Sequence, residues 1–171
     1  GQIAAMLKCI EYGNRFRLIF DGPHWIQSDL NQFVSPGTVS LGPDHVAVLA
    51  PNNIGRICIK VWEESLAGYW PSDNLSDWYD LGENGMMAPW GLSRNPGTLD
   101  LFARLDGGAI GHKHWSPSTG YIPSKEKWDW FEGVTQSSAI AVAKNATSMD
   151  LFVRYPDGTI RDPAIIAAIY G

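Results

Sequence analysis

Tryptophan is the residue type in this chain with the most evident chemistry: 8 of 171 residues carry an indole. An indole can stack on the C–H face of a sugar ring while a neighbouring Arg, Asp or Glu takes the hydroxyls. Six positions draw attention: Trp62, Trp70, Trp78, Trp115, Trp128 and Trp130. Trp62, Trp78 and Trp115 recur at a repeating phase, which suits a filler between structural units. Trp70 and Trp130 fall off that phase. Trp128-Asp129-Trp130 places two indoles on the same side of a strand, and only one can fill the repeated role, so Trp130 is expected to face a ligand.

The polar residues near these indoles have two uses each. Arg104 and Arg154 both close an Asp-Leu-Phe-x-Arg run. Such a guanidinium can bridge to a carboxylate or donate to a pair of sugar hydroxyls. Asp100 and Asp150 are expected to hold turn backbone groups. His112 and His114 are two apart on one strand face and can line a polar pocket. A shared metal would need a third ligand, and none is in view.

No Gly-x-Ser-x-Gly elbow, phosphate loop, His-Glu-x-x-His or Gly-x-Gly-x-x-Gly occurs, so the expectation is a non-catalytic protein without a cofactor. Glu63 with Glu64, or Glu126 with Glu132, could be imagined as a glycosidase pair, but nothing in the sequence sets their separation. A net charge of −5 argues against nucleic acid, which needs clustered Lys and Arg. No apolar run approaches the ~18 residues that span a bilayer. Hydrophobics at 44% against 18% charged residues exclude an acidic disordered tail. Cys9 and Cys58 each sit in an apolar segment, where a buried thiol is the expectation and a disulfide stays open. The opening Gly1-Gln2-Ile3 is expected of a processed or trimmed product, and of the settings the sequence leaves open a secreted or extracellular one is favoured.

What must position these residues is a repeat. Leu99-Asp100-Leu101-Phe102-Ala103-Arg104 returns 50 residues later as Met149-Asp150-Leu151-Phe152-Val153-Arg154. The same offset carries Gly108 onto Gly158, Ile110 onto Ile160 and Asn95 onto Asn145. An earlier copy, shifted by 53, aligns Val46-Ala47-Val48-Leu49-Ala50 with the run from Leu99, Gly55 with Gly108, Lys60 with Lys113 and Trp62 with Trp115. A partial copy runs through Arg15-Phe16-Arg17-Leu18-Ile19-Phe20. Apolar alternation with β-branched and aromatic residues predicts strands, and Asp106-Gly107-Gly108 and Pro156-Asp157-Gly158 predict hairpin turns. Residues 164–169 alone suggest a helix. About four strands per ~50 residues, with Trp and Gly at fixed phase, predicts an all-β protein built of β-propeller blades. The expected repeats are 3–33 (partial), 34–81, 82–131 and 132–171 of a single region. Phe102 and Phe152 occupy equivalent core phases in this scheme.

The stretch Trp78-Tyr79-Asp80-Leu81-Gly82, the run from Leu99, and Asp106 through His112-Lys113-His114-Trp115 resemble one repeat of the Photorhabdus-type fucose-binding β-propeller lectins and of fungal propeller lectins. The resemblance covers residues 38–161. It implies non-catalytic sugar binding, fucose being one candidate, in pockets between adjacent blades. On that basis the sugar-binding set is Trp130, Trp128, Trp115, Lys113, Arg104, Trp70 and His114. The sequence departs from the pattern where Gly111 replaces an aromatic, at Glu132-Gly133, and in the last copy, which lacks His-x-Trp. Three and a half to four blades cannot close a ring, so a homo-oligomer or a second chain is expected to complete it. The alternative is a propeller serving as a protein-interaction or structural module in a larger complex, or a non-catalytic piece of a larger toxin or enzyme.

Overall fold

A computed structural model describes residues 8–12, 15–19, 37–43, 45–52, 54–63, 67–74, 77–84, 86–105, 107–131, 140–143 and 145–161. Every regular element among them is a strand, and every pairing is antiparallel. A hairpin of β1 (Lys8–Tyr12) and β2 (Arg15–Ile19) comes first. Sheet I holds β3 (Gly37–Gly42), β4 (His45–Pro51), β5 (Ile57–Glu63), β6 (Gly68–Trp70) and β7 (Tyr79–Asp80). Sheet II holds β8 (Met86–Leu92), β9 (Leu99–Leu105), β10 (Ile110–Ser116), β11 (Gly120–Ile122) and β12 (Asp129–Phe131). Sheet III holds β13 (Ile140–Ala143), β14 (Met149–Arg154) and β15 (Ile160–Arg161). The described strands form no closed barrel or ring. The segment 164–169 lies outside the described residues.

Sheets I and II follow one plan. Three long strands pair in order, and the outermost position is shared by two short pieces. β6 pairs with Val61–Glu63 at one end of β5, and β7 pairs with Cys58 and Ile59 at the other. In sheet II, β11 pairs with His114, Trp115 and Ser116, and β12 with Ile110, Gly111 and His112. A loop joins the two pieces at the outer edge of each sheet.

The hairpins joining the second and third long strands close identically in all three sheets. Asn52 donates its N–H to Arg56 O and Gly55 donates to Asn52 O; Leu105 and Gly108 make the same pair of bonds with Ala109 and Leu105; Tyr155 and Gly158 do so with Thr159 and Tyr155. Gly55, Gly108 and Gly158 have φ of 74°, 93° and 81°, a left-handed conformation that glycine adopts without a Cβ penalty. The spacing of these glycines, 53 and then 50 residues, is the spacing of the sequence repeat.

The sheets pack face on face. Residues directly opposite in an antiparallel pair share a face, so Ala47, Leu49, Ile57 and Ile59 form one face of sheet I. That face meets Leu99, Leu101 and Ala103 of sheet II, with Leu81 and Trp128 in the same cluster. The opposite face of sheet II, with Phe102 and Ile110, meets Met149, Leu151 and Val153 of sheet III. Strand β9 is covered on both sides, so Leu99 through Ala103 are all buried; this is why its apolar alternation in sequence is imperfect.

In β14 the pattern is strict: Met149, Leu151 and Val153 are buried and Phe152 and Arg154 are exposed. Phe152 thus departs from the expectation of a core position equivalent to Phe102. Phe102 is 1% exposed and Phe152 is 38% exposed, because sheet III covers one and no described sheet covers the other. Burial of an aromatic side chain is what its truncation removes. In dilute solution, Phe102→Ala is expected to cost about 3–5 kcal/mol in urea unfolding, and Phe152→Ala less than about 1 kcal/mol.

Candidate functional site

Lys113 organises the junction between sheets I and II. It is fully buried in the middle of β10, on the face turned toward sheet I. A buried ammonium is costly unless its protons are taken, and here three carbonyls take them. Nζ donates to Leu81 O of the preceding repeat at 3.0 Å, to Ser124 O at 2.7 Å, and to Lys125 O. Trp128 Nε1 donates to the same Leu81 carbonyl at 3.0 Å, and the Lys113 ammonium stands 5.1 Å from the Trp128 ring centre. Gly82, with φ of 74°, lies so close that a Cβ there would come within 2.4 Å of Glu126 backbone atoms. Burial lowers the Lys113 pKa to about 8, against the pull of Glu83, Glu126 and Asp80.

The same device stands one repeat earlier. Lys60, also buried, donates to Ser72 O, Asn74 O and Asp77 O at 2.7–2.8 Å, pinning the loop beyond β6. Tyr69 and Tyr121 lie beside the two ammonium groups at 5.6 and 5.7 Å. Trp62 packs edge-on against Tyr69 with ring centres 4.8 Å apart. Both short outer strands then run into cis peptide bonds, Trp70-Pro71 and Ile122-Pro123.

Directly beyond Lys113, the seam between the two sheets is aromatic. Trp70 stands opposite Val61 and Tyr79 opposite Ile59, so both lie on the sheet I face that meets sheet II. Trp115 and Tyr121 are register partners on the facing side. Their rings form a row: Trp70 to Tyr79 at 4.5 Å, Tyr79 stacked on Tyr121 at 5.9 Å and 16°, and Tyr121 to Trp115 at 6.4 Å. The Lys125 ammonium sits 4.6 Å from the Tyr79 ring centre. Trp70 is 37% exposed and forms the solvent end of the row, while burial pushes the Tyr121 phenol up, with Tyr79 adding to the effect. This arrangement offers a stacking surface, phenol hydroxyls and a cation at one seam.

The structure divides the expected sugar-binding residues among four places. Trp70 and Trp115 stand at the two ends of the aromatic row in the seam. Lys113 and Trp128 lie buried beneath it, in the core. Trp130, 36% exposed, packs on Gly111 from across the strand; a Cβ at Gly111 would fall 2.6 Å from the indole. That contact is the physical reason Gly111 stands where an aromatic was expected. Trp130 lies at the surface and Trp128 in the interior. Arg104 and His114 are on the other face of sheet II, toward sheet III. Tyr79, Tyr121 and Lys125 were not singled out from sequence, although Tyr69 and Tyr121 precede their prolines by the same two residues.

The sheet II–sheet III side carries an ionic cluster. Asp100, fully buried, accepts from Arg94 Nε at 2.7 Å and Nη2 at 3.2 Å, and sits 3.1 Å from His112 Nε2 and 3.0 Å from His114 Nδ1. Asp100 thus binds side chains, where bonds to turn backbone were expected. Burial alone would raise its pKa, but the bonds to His112, His114 and Arg94 together outweigh that and hold the carboxyl well below the usual carboxylate range. Cys58 is a free, buried thiol, pushed up to about 12 chiefly by burial. Among the described residues no group of three or more His, Cys, Asp or Glu side chains is placed to hold a metal, and no helix is long and apolar enough to cross a membrane.

No protein-family model matches the chain, and no curated protein matches it.

Two outcomes follow from the charges. Lys113→Met would take the ammonium from the Ser124 and Lys125 carbonyls and leave Leu81 O with the Trp128 indole alone, and it is expected to cost about 3 kcal/mol at pH 7 in denaturant unfolding. Because the unfolded chain holds this proton to higher pH than the folded one, wild-type stability relative to that variant should rise as pH climbs from about 8 toward 10. Asp100 works in the opposite range. Its depressed folded pKa gives stability that is complete above the ordinary carboxylate pKa of about 4 and is lost as pH falls below it. Asp100→Asn should flatten that acid limb while lowering stability at neutral pH.

Proposed function

We propose that this chain is a non-catalytic carbohydrate-binding protein whose sheets are propeller-type blades, with a sugar site at the seam of sheets I and II. One observation carries the reading: Trp70, exposed, continues a row of rings through Tyr79 and Tyr121 at the junction of two repeats, with the Lys125 ammonium over Tyr79. A pyranose needs an aromatic face for its C–H side and donors or acceptors at its rim, and this seam supplies both. The likeness of the strand motifs to fucose-binding propeller lectins supports the same choice of ligand class. In this reading the stack of sheets is completed by a second chain.

Glycan-array screening followed by calorimetric titration, starting with L-fucose, tests it. Trp70→Ala should weaken binding about tenfold, the value of one stacking contact, while Trp90→Ala, equally exposed but on a strand of sheet II toward sheet III, should not. A flat array at high protein concentration, or equal affinity for Trp70→Ala and wild type, sinks the sugar assignment. A second reading, a protein-interaction module, draws on the exposed Phe152 and Ile160.

A further inference from the structure

The seam between sheets I and II holds a cation at a fixed place beside its stacking surface. Lys125 is exposed, yet its backbone is tied down from below. Its carbonyl and that of Ser124 accept from the buried Lys113 ammonium, and the Lys127 N–H donates to Ser124 Oγ at 3.2 Å. The Glu126 backbone packs against Gly82. From this anchored loop the Lys125 ammonium lies over Tyr79, 4.6 Å from the ring centre, and Tyr79 in turn lies 4.5 Å from Trp70. Cation and exposed indole are thus one ring apart.

The carboxylates nearby are turned to other partners. Glu63, on the same face of sheet I, sits 3.3 Å from His45 Nε2. Asp80 belongs to the opposite face and pairs with Arg56 at 3.1 Å. Glu83 and Glu126 lend their field to the buried Lys113. Among the described residues no carboxylate forms an ion pair with Lys125. Burial keeps the Tyr121 phenol protonated, so it adds a hydrogen-bond donor to the seam and no negative charge.

We propose that the seam selects sugars bearing an anionic group, a uronate carboxylate or a sulfate ester, with the pyranose on Trp70 and the anion on Lys125. The inference rests on the sugar reading given above and deepens it. A lysine ammonium is a point charge with three rotatable donors, so it can take either anion. Because the loop that carries it is already ordered, binding costs little further ordering. The net charge of −5 repels anions at long range, so the preference has to come from this one short contact.

The test is calorimetric titration of the full chain at low salt with L-fucose, D-galactose, D-galacturonate and the sulfate ester of D-galactose. At least one anionic sugar should bind about fivefold more tightly than galactose, the upper range for an exposed charge pair. The preference should shrink as salt is added. Lys125→Gln should bring the ratio of anionic to neutral affinity down to about one, whereas Lys127→Gln, which removes the same charge two residues away, should leave the ratio as it was. On a glycan array acidic glycans should stand above their neutral counterparts, and this order decides the matter if the monosaccharides bind too weakly to titrate. Equal affinity for anionic and neutral sugars, neutral glycans in the lead, or a ratio that survives Lys125→Gln overturns the proposal and leaves the sugar site standing. An array flat for neutral and acidic glycans alike removes the sugar reading and this inference with it.

Discussion

A single ammonium group holds the best-built junction of this protein. Lys113 is buried in a sheet whose surroundings are mostly apolar, where an unpaired charge would cost several kcal/mol. Its three acceptors come from two different parts of the chain: the end of the preceding repeat at Leu81, and the outer loop of its own sheet at Ser124 and Lys125. The charge is tolerable only when both are in place. Much else follows from that demand. Gly82 must be glycine because its segment is drawn hard against Glu126, and Trp128 is fixed because it shares the Leu81 carbonyl. The aromatic row lies at the seam because Tyr121 is held beside the same ammonium. Lys60 imposes a smaller version of this order on sheet I, with all three acceptors in its own outer loop.

The two sides of sheet II are built on different chemistry. Toward sheet I the buried charge is a cation answered by neutral carbonyls. Toward sheet III it is an anion, Asp100, answered by Arg94 and two imidazoles. The residues that take the corresponding places in sheet I, Ala47, Ile59 and Val61, are apolar. The repeat thus conserves backbone geometry and lets the buried polar groups differ from one junction to the next, which gives each junction a distinct partner requirement.

Strands and turns were legible because they depend on neighbours in sequence. Asp106-Gly107-Gly108 and Pro156-Asp157-Gly158 mark their hairpins, and the left-handed glycine at Gly55, Gly108 and Gly158 is what all three closures share. The repeat also marked Lys60 and Lys113 as equivalent. Their role was hidden, since a lysine is ordinarily a surface residue and its acceptors here lie 11–32 residues away in loops. Tyr79 and Tyr121 escaped for a related reason: their stacking exists only across two sheets. Phe152 shows the limit most clearly. Its sequence context matches that of Phe102 almost residue for residue, and its burial differs because burial belongs to the next sheet along. Of the seven residues expected at the sugar site, Trp70 and Trp115 belong to one row of rings for the same reason, being joined through Tyr79 and Tyr121 by packing that no spacing rule expresses.

The shared carbonyl of Leu81 bears on how such a chain can be divided. It belongs by sequence to the end of one repeat, yet both of its donors, the Lys113 ammonium and the Trp128 indole, belong to the next. The unit of sequence duplication and the unit of bonding are therefore out of step by part of a sheet. A gene break placed neatly between repeats would separate a lysine from an acceptor it needs inside the protein. Shuffling or fusing these modules intact requires carrying the Leu81–Gly82 segment along with the sheet that follows it, so that the portable piece begins inside the preceding repeat.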